Sequence, residues 1–160
     1  MDFRKVLFLL LISLLLFGTV FAQKTVNDFQ VDESYEQVYN GNYHSLYVHG
    51  KQLSGIAIYR YIAGDVDDNV EVDADLVHDN GKGYLIGDED DISVAKNSDN
   101  TVNFTDKDYA EHGVAEVVSI NGELFVVVFW AKNVSDIDDS ELISQLNQFN
   151  MDNNVKAVAF

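Results

Sequence analysis

From Val114 to Lys132 the chain reads VAEVVSINGELFVVVFWAK, two runs of valine and aromatic residues joined by Asn121-Gly122. Asn-Gly between strand formers predicts a two-residue type I′ turn, because that turn requires positive φ at both central residues. The hairpin so defined pairs Ile120 with Glu123, Val118 with Phe125 and Glu116 with Val127, and on the opposite face Val117 with Val126 and Ala115 with Val128. Leu124 to Trp130 is apolar on both faces. An antiparallel strand with one wet face alternates, so this segment is expected inside a sheet, covered above and below.

Other segments carry weaker versions of the same pattern. Asn42 to His49 alternates as a strand, with His44, Leu46 and Val48 opposite Tyr43, Tyr47 and His49. After a turn at Gly50-Lys51, Leu53 to Ala63 sets Ile56, Ile58 and Ile62 against Ala57, Tyr59 and Tyr61. Val70 to Val77 alternates valine and leucine with carboxylates, as a half-buried strand does. Tyr84 to Ile86 resumes an extended run, Ile92 to Ala95 and Val102 to Phe104 are short strands, and Asp106 to His112 reads as a connector. Phe29, Val31, Tyr35 and Val38 fit either one stripe of a short helix or an extended segment. Beyond the hairpin, Leu142, Ile143, Leu146 and Phe149 recur at helical spacing behind a cluster of N-cap residues, which predicts a helix from Asp138 to Phe149. Val155 to Phe160 reads as a last strand. The fold class expected is α+β: a mostly antiparallel sheet with a C-terminal helix on one face, preceded by an N-terminal signal helix.

The N-terminal run differs from all of these. Arg4 and Lys5 precede an apolar stretch from Val6 to Leu16, and Val20 and Ala22 are small residues at the positions a signal peptidase reads. Residues 1–22 are therefore read as a signal peptide cleaved after Ala22, with an uncleaved membrane anchor as the alternative, and residues 23–160 as one exported domain. Removing Asp2, Arg4 and Lys5 changes the formal charge from −17 to −18. Such a field repels phosphate backbones and anionic headgroups, so no nucleic acid is expected as partner, and contact with membrane only through an uncleaved leader. A secreted or cell-surface location follows, with a cell-envelope or extracellular protein as partner. The chain has no cysteine, which excludes disulfides, thiol catalysis and thiolate metal sites.

Glu116 to Phe149, a strand, Asn-Gly-Glu-Leu-Phe-Val-Val-Val, an acidic loop, then Glu141-Leu142 and a helix ending Asn147-Gln148-Phe149, resembles the C-terminal part of PsbP-like domains. Phe29-Gln30-Val31 followed by Tyr35 is similar to the N-terminal segment of that family, without its proline and glycine. The resemblance covers about a third of the chain. It implies a central antiparallel sheet with helices on its faces, in a domain that docks on larger assemblies rather than catalysing; no functional residue carries over.

Candidate chemistry is sparse. Asp65, Asp67 and Asn69 occupy the first, third and fifth places of a calcium loop, but Val70 stands at the sixth and Leu76 at the twelfth, so an EF-hand is excluded. A looser Ca2+ site remains open at this turn, at Asp88 and Asp90, or at Asp136 and Asp138. His44, His49, His78 and His112 form no metal-binding spacing, and His44 and His49 fall on opposite faces of their strand. No nucleophile elbow or phosphate loop occurs. No catalytic residue is assigned, and the expected function is a non-catalytic binding or structural domain that docks a protein or cationic partner through its acidic surface. A small secreted hydrolase using Asp and His residues, or a calcium-binding surface protein, is the alternative.

Overall fold

The computed structural model describes residues 25–60, 92–97, 101–107 and 111–158. The expected signal helix, the Val70 to Val77 strand and the Tyr84 to Ile86 run lie outside them. Among the described residues, eight strands form one antiparallel sheet: β1 (Glu36–Asn40), β2 (His44–His49), β3 (Ser54–Arg60), β4 (Ile92–Lys96), β5 (Val102–Asp106), β6 (Glu111–Ile120), β7 (Glu123–Lys132) and β8 (Lys156–Ala157). The spatial order is β1-β2-β3-β7-β6-β5-β4, with β8 paired to β6 beside Val118 and Ser119. Helix α1 (Asp139–Asn153) packs over β6 and β7.

The hairpin β6–β7 forms in the register its turn dictates, from Ile120 opposite Glu123 through Val117 opposite Val126. Asn121 and Gly122 have φ of 53° and 81°, the pair of positive values a type I′ turn needs. Strand β7 lies between β3 and β6, and Phe125 to Phe129 are all buried. Alternation distributes them between two layers. Phe125, Val127 and Phe129 join Ile56, Ile58 and the helix residues Leu142, Leu146 and Phe149, whereas Val126 and Val128 join Ala57, Tyr59, Val102 and Phe104 on the second face.

The helix layer is closed by aromatic packing. Phe29 meets the edge of Phe125 at 5.0 Å between ring centres and stacks on Phe149 at 5.5 Å, and Phe149 meets Phe129 edge-on at 5.8 Å. On the second face, Gly55 and Gly113 flank Trp130 on the two neighbouring strands. A Cβ at Gly55 would sit 2.5 Å from the indole, and one at Gly113 would sit 2.4 Å from both the Phe104 ring and the Phe129 carbonyl oxygen. The two glycines thus leave room for two large rings laid across the sheet.

Helix α1 starts at Asp138, whose side chain accepts the Glu141 N–H at 2.9 Å, with Asp139 and Glu141 at the positive end of the helix dipole. It ends at Asn154, in the left-handed region at φ 51°, whose N–H bonds back to Asn150 and Met151. The helix runs to Asn153, beyond the expected stop at Phe149, because its buried stripe Leu142, Leu146, Phe149, Asn153 finishes on a polar residue.

One open alternative is decided, and two further boundaries differ from the sequence reading. Residues around Val38 adopt the extended alternative, β1, and not the helical one. Only the ends of the expected connector from Asp106 to His112 belong to strands: β5 runs to Asp106, and β6 begins at Glu111 opposite it. Of these buried polar residues, Glu111 is received by Lys132 and His112 by Asp139. The last strand is confined to Lys156–Ala157 among the described residues.

Candidate functional site

Between the N-terminal segment, the β2–β3 turn and the last two turns of α1 lies a half-open cleft of about 290 Å³. Ile56, Phe129 and Phe149 form its apolar base. One side chain fastens the segment that makes its near wall. Asn153 Oδ1 accepts the Gln30 N–H at 2.7 Å, and its Nδ2 donates to the carbonyls of Gln30 and Phe149 at 2.9 Å each. It imitates a strand neighbour for Gln30, so the end of the helix holds residues 30 to 35 over the sheet.

The cleft walls are polar. Tyr35 donates its phenol to Gln145 Oε1 at 3.1 Å and meets the His49 ring edge-on at 5.3 Å. Burial pushes the Tyr35 phenol above its ordinary pKa. His49 Nδ1 accepts the Gln52 N–H at 3.2 Å, which in the neutral ring leaves the proton on Nε2. Asp32 accepts from the hydroxyl and main-chain N–H of Ser34, and those bonds hold its carboxyl below the usual range. Gln148 Nε2 donates to Asp152 at 2.8 Å. The turn bearing His49 and Gln52 ends at Leu53, at φ 49°. A leucine there carries backbone strain, since its Cβ crowds the following carbonyl.

A second polar cluster joins the start of β6 to the first turn of α1. His112, 3% exposed, lies with its Nδ1 2.6 Å from Asp139 Oδ1, and Asn103 donates to Asp139 Oδ2 at 2.8 Å. His112 Nε2 is buried with no hydrogen-bond partner among the described residues. On the opposite face Glu111, also buried, lies 3.5 Å from Lys132 Nζ. Burial raises its pKa, against the opposing pull of Lys132. The carboxylate–imidazole pair is two thirds of a nucleophilic triad, but no serine or threonine hydroxyl bonds to Nε2 among the described residues.

The third feature is an aromatic edge. His44 stacks between Tyr39, at 4.4 Å, and Tyr59, at 5.8 Å, and burial lowers its pKa. Val38, Tyr39 and Tyr43 are 53%, 45% and 55% exposed. Tyr47 and Tyr59, in contrast, are buried parts of the two layers.

Of the candidate calcium ligands, Asp65, Asp67, Asn69, Asp88 and Asp90 lie outside the described residues. Asp138 caps α1, and the bonds from Ser140 and Glu141 keep its carboxyl below the usual range. Asp136 accepts weakly from Asn133 and Ser135 in the preceding turn. Among the described residues no three His, Asp or Glu side chains gather as a metal site would require. His44 and His49 do fall on opposite faces. The glutamines of the cleft carried no signal in the sequence, because an isolated glutamine is as common on a wet helix face as in a site; the fold gathers them from the N-terminal segment, the β2–β3 turn and α1, with Asn153 fastening the first of these.

No family model matches the chain, and neither a curated protein nor a solved structure matches it.

Proposed function

We propose that this chain is a non-catalytic, exported binding domain that docks a basic partner protein along the acidic margin formed by β1 and the segment leading into it. The observation that carries this reading is the character of that margin. All five residues of β1 are exposed, and among the described residues only β2 pairs with it. Asp28, Asp32, Glu33 and Glu36 line the approach, and no lysine or arginine occurs between Thr25 and Gly50. Beside these acids stand the exposed Val38, Tyr39 and Tyr43, the mixture of aromatic anchor and charged rim found at protein interfaces. The register shift between Gln37 and Tyr39 breaks the regular ladder, which discourages edge-to-edge pairing with another sheet. Docking therefore runs through side chains.

The leader, the −17 charge and the resemblance to PsbP-like domains support the same reading. Capture of envelope proteins on immobilised chain tests it. A basic protein should be retained at low salt, released as salt rises, and lost with Glu33→Lys/Glu36→Lys or with Tyr39→Ala. Retention indifferent to all three changes would refute it.

The His112–Asp139 pair favours a second reading, a small hydrolase. Turnover of ester, peptide or glycosidic substrates that disappears in Asp139→Asn would establish it in place of the first. A calcium-dependent rise in the melting midpoint would point to the third, a calcium-binding surface protein.

A further inference from the structure

We propose that the cleft beneath residues 30 to 35 binds a neutral saccharide, at a site that shares Asp32 with the docking margin but requires no partner protein. Its polar groups are matched in kind to hydroxyls. Gln145 spends its carbonyl on the Tyr35 phenol and leaves its amide N–H groups for a ligand. His49 leaves its Nε2–H by the same logic. Gln30 and Gln52 have side-chain amides without a hydrogen-bond partner among the described residues, and Asp32 and Asp152 each have one oxygen engaged and a second open. Donors and acceptors thus stand side by side around one space, and a hydroxyl both donates and accepts.

Other ligand classes leave part of this arrangement unused. An anion meets Asp32 and Asp152 with no lysine or arginine in the lining to offset them. An ammonium satisfies the carboxylates but strands the N–H donors of Gln145 and His49, since it accepts nothing. A hydrocarbon strands every polar group. A sugar ring meets both needs, because its hydroxyls reach the amides and carboxylates while its C–H face rests on the base of Phe129, Phe149 and Ile56. The volume, about 290 Å³, falls at the small end of ligand sites and suits the end of a saccharide chain rather than a long segment. The anchoring of Gln30 by Asn153 and the fixed turn at Leu53 set the walls in place before a ligand arrives.

NMR titration of the full chain with cellobiose, maltose, lactose and chitobiose tests the proposal, with spermidine and glucose 6-phosphate as the cationic and anionic comparisons. At least one neutral disaccharide should shift the amides of Gln30, Gln52 and Gln148 in a saturable manner. Gln52→Ala and Gln30→Ala should each weaken that binding roughly tenfold, with the melting midpoint unchanged because both side chains are exposed. Tyr39→Ala should leave it intact, which separates this site from the docking margin. Binding by spermidine alone would overturn the saccharide assignment in favour of an amine site. Shifts outside the cleft, or none with any of the four disaccharides, would overturn it outright.

Discussion

Strands β7 and β1 belong to one sheet, three places apart, and meet opposite fates. β7 has a neighbour on each side and a packed layer on each face, so its five central side chains from Phe125 to Phe129 are buried. β1 has β2 alone among the described residues, and its five are all exposed, Val38 and Tyr39 included. Residue type alone does not account for this, since Val38 and Tyr39 are apolar yet exposed. Position in the sheet does: burial follows the number of neighbours a strand acquires, and an apolar side chain left at the margin is available to something else.

The comparison breaks most visibly from the inner side. Phe125→Ala should destabilise the fold by about 3–5 kcal/mol, measured by urea unfolding, because the Phe29 ring packs against it at a site that is fully closed. Gly113→Ala comes next, at about 1–3 kcal/mol, since the new methyl meets the Phe129 carbonyl, which the sheet holds in place. Asn153→Ala should cost about 1–3 kcal/mol by stranding the Gln30 N–H, and should speed hydrogen exchange in residues 30 to 35 ahead of the sheet.

Smaller effects sharpen the outer side. Asp138→Ala should lower the melting midpoint at neutral pH. The folded-state carboxyl is held below its ordinary pKa, so its stabilising bonds are complete above the ordinary aspartate value and are lost as pH falls through the lowered one; wild type and variant should converge in acid. Val38→Ser should change stability by less than about 0.5 kcal/mol, yet weaken partner capture if the margin docks as proposed. A large loss of stability there would show that β1 is covered after all.

Local chemistry made the inner hairpin readable. Asn121-Gly122 specified its turn, the turn specified the register, and the two-sided apolar run specified an interior place. The two-residue alternation of Ile56 and Ile58 against Ala57 and Tyr59 was equally plain, and each pair lies in the layer its phase required. Where burial depends on a distant polar partner, the residues alone mislead. Glu111 and His112 read as a connector because nothing nearby announces Lys132 or Asp139, and the helix is expected to stop at Phe149 because Gln30, the partner that buries Asn153, is far away in the chain. The turn expected at Gly50-Lys51 forms, but nothing in the sequence announces the positive φ that it places on Leu53. The cleft was illegible for the same reason: its amides come from three separated segments, and none is unusual where it stands.

The pairing of β3 with β7 joins Arg60 to Phe125 and Ser54 to Ala131, residues separated by a large part of the chain. The meander β1–β2–β3 can form early, but among the described residues the outer edge of β3 has no partner until that distant hairpin arrives. Synthesis must therefore pass Ala131 before the sheet can close, and the search for that contact, costly in loop entropy, should set the pace of folding.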